Sequence, residues 1–204
     1  MNHSLTILQT LEQFDRWLFH KINGQWINPV FDFVSLLIRA SVLWMPLYLF
    51  VFVFVAVNFK RNSLWWILFF LCTVALTDLT GAHLFKHLFK RLRPCNDPAF
   101  ASSVRLLLDY CAAGYSFVSN HAANHFGLST FFYFTMRRYI PKWAWLAWVW
   151  AFAISYSQIY VGIHYPLDVA GGAIVGILYG LLTSMFFNKK FGFVTFDTQP
   201  TGMR

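Results

Sequence analysis

Charge is what this sequence has least of. Asp, Glu, Lys and Arg make up 12% of its 204 residues, against about 25% in a soluble domain. Acid is scarcest, with eight Asp and Glu facing sixteen Lys and Arg, a formal net charge of +8. No internal repeat or linker interrupts the chain. Its opening, MNHSLTILQTLEQFDRW, has neither the basic n-region nor the unbroken apolar h-region of a secretory leader. What fills the space is apolar: 58% hydrophobic and 21% aromatic residues, with a mean hydropathy of +0.51. Such a composition excludes a soluble globular protein, a disordered chain and a nucleic-acid-binding tail. The basic excess suits lipid phosphate as an anionic partner, not nucleic acid.

Apolar runs near 20 residues, the length that crosses a bilayer, recur along the chain. They predict an all-α, polytopic transmembrane bundle forming a single membrane-embedded domain over residues 1–204. About five spans are expected, at 29–58 (with Arg39 near its start and Pro46 inside), 64–85, 121–136, 143–163 and 166–187. Ahead of them, Ile7, Leu11, Phe14 and Leu18 share one stripe of a helix over about 5–20. Two placements fit that stripe: a helix lying in the membrane interface, or an amphipathic helix packed on the bundle.

Basic connectors separate several spans: Lys60-Arg61, Arg137-Arg138 with Lys142, and Lys189-Lys190. With Arg204 they carry eight cations, and the opposite side also carries eight. Five of the latter (Lys86, Lys90, Arg91, Arg93, Arg105) cluster in one segment, which marks a site and not a topology signal. Setting that cluster aside, the positive-inside rule makes the connectors and C-terminus cytoplasmic. A multi-pass cell (inner) membrane protein is expected, its basic cluster facing outward to the periplasm.

Three constellations carry chemistry. Lys86, Lys90 and Arg93 fall at i, i+4 and i+7, so a helix ending by Pro94 would show three cations on one face; snorkelling at the membrane boundary explains the same pattern. Ser119 and Asn120 suit the N-cap of the next span, whose free amides favour phosphate oxygens. His121 and His125 follow on one side of it. Their i, i+4 spacing also suits zinc, but no H-E-x-x-H glutamate or acidic third ligand is near. In the third constellation, Pro166 opens a helix that places Asp168 within reach of His164. A carboxylate on one ring nitrogen leaves the other as nucleophile or base, and a structural pair closing a tight turn has the same spacing.

Taken together, K-x6-R-P at Lys86–Arg93, S-x-H at Ser119–His121 and S-x6-H-x3-D ending at Asp168 resemble the type-2 phosphatidic acid phosphatase superfamily. These are integral membrane lipid phosphate phosphatases. The resemblance implies hydrolysis of a lipid phosphate or polyprenyl diphosphate of the phosphatidic acid, phosphatidylglycerol phosphate or undecaprenyl diphosphate type, without metal or other cofactor. It casts His164 as a nucleophile forming a phosphohistidine, Asp168 as its orienting partner and His121 as the acid. Lys86, Arg93, Ser119, Asn120 and the position of Gln158 would hold phosphate.

The chain departs from that pattern in two places. Val118 and Asn120 stand where the family has Pro and Gly, and Gln158 stands where it has a phosphate-gripping arginine. A neutral amide does not replace a guanidinium, so Lys90, Arg91 and His125 become the candidates to compensate. The competing function is a catalytically impaired relative that binds anionic head groups or a membrane partner. Two further expectations concern buried groups. Asp78, inside the second span, is either functional or a satisfied polar residue bonded through Thr77, Thr80 or Arg39. Cys95 and Cys111 share a polar segment and are free to pair in an oxidising compartment, leaving Cys72 as a buried thiol; unpaired loop cysteines are the alternative.

Overall fold

The computed structural model describes residues 7–193. Among these, all regular structure is helical. The order is α1 (Ile7–His20), α2 (Pro29–Ile38), α3 (Met45–Phe59), α4 (Arg61–Leu79), α5 (Lys86–Phe89), α6 (Asn120–Met136), α7 (Leu146–Tyr160) and α8 (Pro166–Lys190). Three stretches, Ser41–Phe59, Asn62–Phe89 and Pro166–Lys190, are long and apolar enough to cross a membrane. Helices α6 and α7, with 17 and 15 residues, fall short of the ~20 that a bilayer asks. α6 is the inner helix, packed against α8, α7 and α4, and that shelter explains its Asn, His, Ser and Thr content.

Small residues make that packing possible. A Cβ added at Gly172, Gly176 or Gly180 would stand 2.5, 2.3 and 2.5 Å from the carbonyl oxygens of Ser119, Ala123 and Gly127. One glycine per turn of α8 therefore lets the backbones of α6 and α8 touch. Lipid tails are as apolar as Leu, so helices in a bilayer associate by such close van der Waals contact more than by hydrophobic burial. The seam runs directly below the site, since Ser119 starts α6 and Asp168 lies in the first turn of α8.

Three expectations need correction. The run 29–58 is not one helix: α2 ends at Ile38, Arg39 caps it, and α3 begins at Met45 after a 3-10 turn, Ser41–Trp44. Pro46 is the reason, because proline suits a helix's first turn better than its interior, and it stands at the start of α3. The Trp44 indole closes the break by donating to the Ile38 carbonyl at 2.6 Å. Cys72 is exposed on the outside of α4, not buried; in a lipid-facing bundle an apolar side chain has no need to turn inward. The second span also runs on to Phe89 through a π-helical turn, Thr80–Phe85.

Helix α1 packs one face on the bundle. Asp15 and Phe19 are buried against the bundle, while Ile7, Leu11, Phe14 and Trp17 point outward. Residues 5 and 6 of the expected helix, and the C-terminus expected on the cytoplasmic side, lie outside the described residues.

Candidate active site

His164 lies in the turn between α7 and α8. Gly162 makes that turn, with φ of +93°, a value that favours glycine. A Cβ there would also stand 2.9 Å from the Arg105 carbonyl oxygen. The amides of Ile163 and His164 both donate to the Gln158 carbonyl at 3.2 Å, which fastens the turn to the end of α7.

Each ring nitrogen of His164 has a defined partner. Arg93 Nη1 stands 3.1 Å from Nε2. A guanidinium only donates, so Nε2 is the acceptor and the proton of the neutral ring sits on Nδ1. Nδ1 faces Ser116 Oγ at 3.2 Å, and that hydroxyl donates to Asp168 Oδ2. The direct His164 Nδ1–Asp168 Oδ2 separation is 3.6 Å, too long for a hydrogen bond. The expected His–Asp pair is thus a three-membered chain with Ser116 as its middle link. Burial is the largest influence on the His164 imidazole and holds its pKa below the ordinary value; Asp168 opposes it, and Arg93 and Lys86 add to it.

Asp168 is fully buried and anchors several elements. Its Oδ2 accepts from the Tyr165 amide at 2.9 Å, closing a capping box at the start of α8. Its Oδ1 accepts from Arg91 Nη1 at 2.7 Å, and Arg91 also pairs with the buried Asp15 of α1. The Asp15 Oδ1 in turn accepts from the Leu167 amide at 2.8 Å. Asp15 therefore ties helix α1 to the start of α8 beside the site. Burial opposes the charge on Arg91, but Asp168 and Asp15 raise its pKa above the ordinary value.

The cations do not share one helix face. Helix α5 stops at Phe89, Lys90 takes a left-handed conformation with φ of 45°, and Arg93 is extended. Pro94 disfavours helix at the residue before it, and here the helix has ended earlier still. Lys86 and Arg93 nevertheless converge, each lying within electrostatic reach of the other and of His164. Arg93 is buried and held by the carbonyls of Ala113, Gly114 and Ile163 at 3.3–3.4 Å. Among the described residues neither cation has a carboxylate within salt-bridge distance. A buried guanidinium without a counter-ion is costly, and an incoming phosphate offsets that cost. Lys90 is exposed, and Arg91 is committed to Asp15 and Asp168.

The α6 residues divide in the same way. Ser119 Oγ accepts from the Ala122 amide at 3.4 Å as the N-cap. His121 follows, within electrostatic reach of His164 and Arg93. Asn120 donates instead to Asp78 at 2.6 Å, with Asn124 a second donor at 3.4 Å. These amides are the partners of Asp78, in place of Thr77, Thr80 or Arg39. His125 donates Nδ1–H to the His121 carbonyl at 2.7 Å and rests edge-on against Trp150 at 4.8 Å. Gln158 is fully buried, its amide folded onto Ile154 O and Ser157 Oγ at 3.4 Å. Cys95 and Cys111 are disulfide-bonded, tying the segment that carries Arg93 to the one that carries Ser116.

Two residues gained meaning only in three dimensions. Ser116 is the link between His164 and Asp168. Arg39, at the break between α2 and α3, lies within electrostatic reach of both His121 and Arg93. A charge inside an apolar run was the sequence signal for Arg39; nothing local distinguished Ser116.

A buried imidazole beside a lysine and a buried arginine, inside an apolar helical bundle, is a constellation suited to phosphoryl chemistry at a membrane. More specifically, the chain belongs to the PAP2 superfamily, whose family model matches residues 63–191. It is 30% identical over 199 residues to a lipid A 4'-phosphatase of Bacteroides thetaiotaomicron, covering 96% of this chain and 87% of that one. To a lipid A 4'-phosphatase of Porphyromonas gingivalis it is 29% identical over 175 residues, covering 85% and 72%. In fold it resembles the crystal structure of a transmembrane PAP2-type phosphatidylglycerolphosphate phosphatase from Bacillus subtilis, with a TM-score of 0.64, 21% identity and coverage of 92% and 89%.

Proposed function

We propose that this protein hydrolyses the phosphate ester of a membrane-embedded lipid, with His164 as the nucleophile. The observation that carries the reading is the Nε2 of His164, neutral, buried and facing Arg93 at 3.1 Å, with Lys86 and His121 within electrostatic reach. Phosphoryl transfer needs positioning and charge neutralisation above all. Nε2 attacks phosphorus, the P–O bond to the lipid breaks, and His121 protonates the leaving oxygen. A water then attacks the phosphohistidine, gives its proton to His121 and frees His164 with inorganic phosphate. Lys86 and Arg93 neutralise the equatorial oxygens. The ring develops positive charge as Nε2 bonds phosphorus, and the Ser116–Asp168 link stabilises it through Nδ1–H.

A lipid substrate fits the surroundings. Trp150, whose ring meets His125, also walls an apolar cavity of about 290 Å³ lined by Tyr48, Phe70, Leu128 and Phe132. Similarity over most of both chains to lipid A 4'-phosphatases makes a glycolipid phosphate monoester the first substrate to test. The basic connectors and the Cys95–Cys111 bond favour an outward-facing site; alkylation at lysis before non-reducing mass spectrometry should leave only Cys72 labelled, and three labelled cysteines contradict that placement. The defining assay is phosphate release by purified protein from lipid A, phosphatidic acid, phosphatidylglycerol phosphate and a polyprenyl diphosphate, without added metal. Turnover of at least one supports the reading; binding without release on all four overturns it in favour of a silent lipid-binding relative.

A further inference from the structure

We infer that Arg39 is a phosphate-binding residue of this site, reaching it from the break between α2 and α3 and supplying the cation that the α7 side lacks. The inference rests on the phosphatase reading for its substrate, and on separate observations for the residue. Four arginines other than Arg93 are placed on this side of the bundle. Arg16 pairs with Glu12 and Asp97, Arg91 with Asp15 and Asp168, and Arg105 with Asp32. Arg39 is the exception: among the described residues it has no carboxylate within salt-bridge distance, and its Nε is buried without a hydrogen-bond partner.

Packing holds it level with the catalytic cluster. The Trp44 ring, tied back to Ile38, meets Trp150 edge-on at 5.4 Å. Trp150 meets His125 at 4.8 Å, and His125 stacks below His121 at 6.2 Å. The break is thus braced against the first turns of α6, and the Arg39 charge is felt at His121 and Arg93. Two guanidiniums within electrostatic reach of each other repel. A phosphate dianion between them converts that repulsion into attraction, and the planar donor fork suits its oxygens. On the α7 side, Gln158 is neutral and folded onto its own helix. The cradle is therefore built from three elements: Lys86 from α5, Arg93 from the segment after it, and Arg39 from the α2–α3 break.

Three variants of the full chain test this: Arg39→Met, Arg39→Lys and Arg39→Met/Gln158→Arg. The readouts are kcat and KM on the best lipid phosphate, inhibition by inorganic phosphate, and the thermal shift that inorganic phosphate induces. Arg39→Met should lower kcat/KM by about 100-fold, the scale of one lost transition-state donor, and weaken phosphate inhibition at least about tenfold. Restoring a guanidinium from α7 in the double variant should recover at least about tenfold of that loss, which a membrane anchor or packing residue would not allow. Unchanged phosphate inhibition in folded Arg39→Met, or no recovery in the double variant, overturns the inference. If the Met variant does not fold, Arg39→Lys decides: weaker phosphate inhibition supports it and wild-type inhibition overturns it. A wild type whose phosphate-induced shift depends on Arg39 but which releases no phosphate from any lipid would overturn the reaction and leave the residue assignment standing.

Discussion

Replacing Ser116 by Ala tests whether the hydroxyl between His164 and Asp168 acts in the reaction. The Oγ lies 3.2 Å from His164 Nδ1, whereas Asp168 Oδ2 is 3.6 Å away. Without the hydroxyl, the buried Nδ1–H loses its acceptor, and Asp168 Oδ2 at 3.6 Å is beyond hydrogen-bond range. Leaving a buried donor unsatisfied costs about 1–3 kcal/mol, and at ~1.36 kcal/mol per decade that is roughly 5- to 150-fold in rate. The cost falls on kcat, because the ring gains positive charge only as Nε2 bonds phosphorus; KM should stay within about twofold. Asp168 keeps Arg91 and the Tyr165 amide, so the fold loses only the two bonds of the Ser116 hydroxyl and remains intact. The assay is steady-state phosphate release by Ser116→Ala, Asp168→Asn and the double variant. Since Ser116 acts through Asp168, the double variant should be little worse than Asp168→Asn alone. Strictly additive losses, or a wild-type kcat in Ser116→Ala, would refute the relay.

Three further outcomes follow from the same geometry. His121→Ala should lower turnover of the lipid ester by about 10²- to 10⁴-fold, the range of general acid catalysis, and by far less for an aryl phosphate whose leaving group needs no proton; equal losses on both would remove His121 from the acid role. Burial lowers the His164 pKa, and protonation removes the Nε2 lone pair, so the rate should fall only once pH drops through that lowered value. The acid limb of kcat/KM should therefore lie below the ordinary ~6.5 of histidine, and a limb above it would contradict a buried neutral nucleophile. Arg91→Met leaves Asp15 and Asp168 buried without their shared cation and should destabilise the protein by about 3–5 kcal/mol, read as a drop in thermal midpoint; an unchanged midpoint would show that α1 does not depend on this bridge.

What the sequence made legible was what local pattern controls. The membrane class, the two long later spans and the helix starts at Ser119 and Pro166 follow from apolar run length and from capping chemistry, and the structure places them there. The broken first span was misread because hydropathy does not register a helix end inside an apolar run; Pro46 held the signal. Lys90 and Arg91 looked equivalent to Lys86 and Arg93 in a string of cations. Their separation depends on Asp15, 76 residues before Arg91 in sequence, and on the turn that ends α5 at Phe89. Arg39 stood out as a charge in an apolar run but not as a partner, and Ser116 did not stand out at all, since their neighbours His121, His164 and Asp168 come from other elements.

The covalent step itself is the most direct test. Rapid quenching of turnover with a lipid substrate labelled in its phosphate, followed by alkaline digestion-compatible peptide mapping, asks where phosphorus sits in the intermediate. The account predicts an acid-labile, alkali-stable phosphoryl group on the peptide containing His164, forming at the rate of lipid release and decaying at the rate of phosphate release. Label on another residue, or an active enzyme that carries none while His164→Ala still turns over, would contradict it.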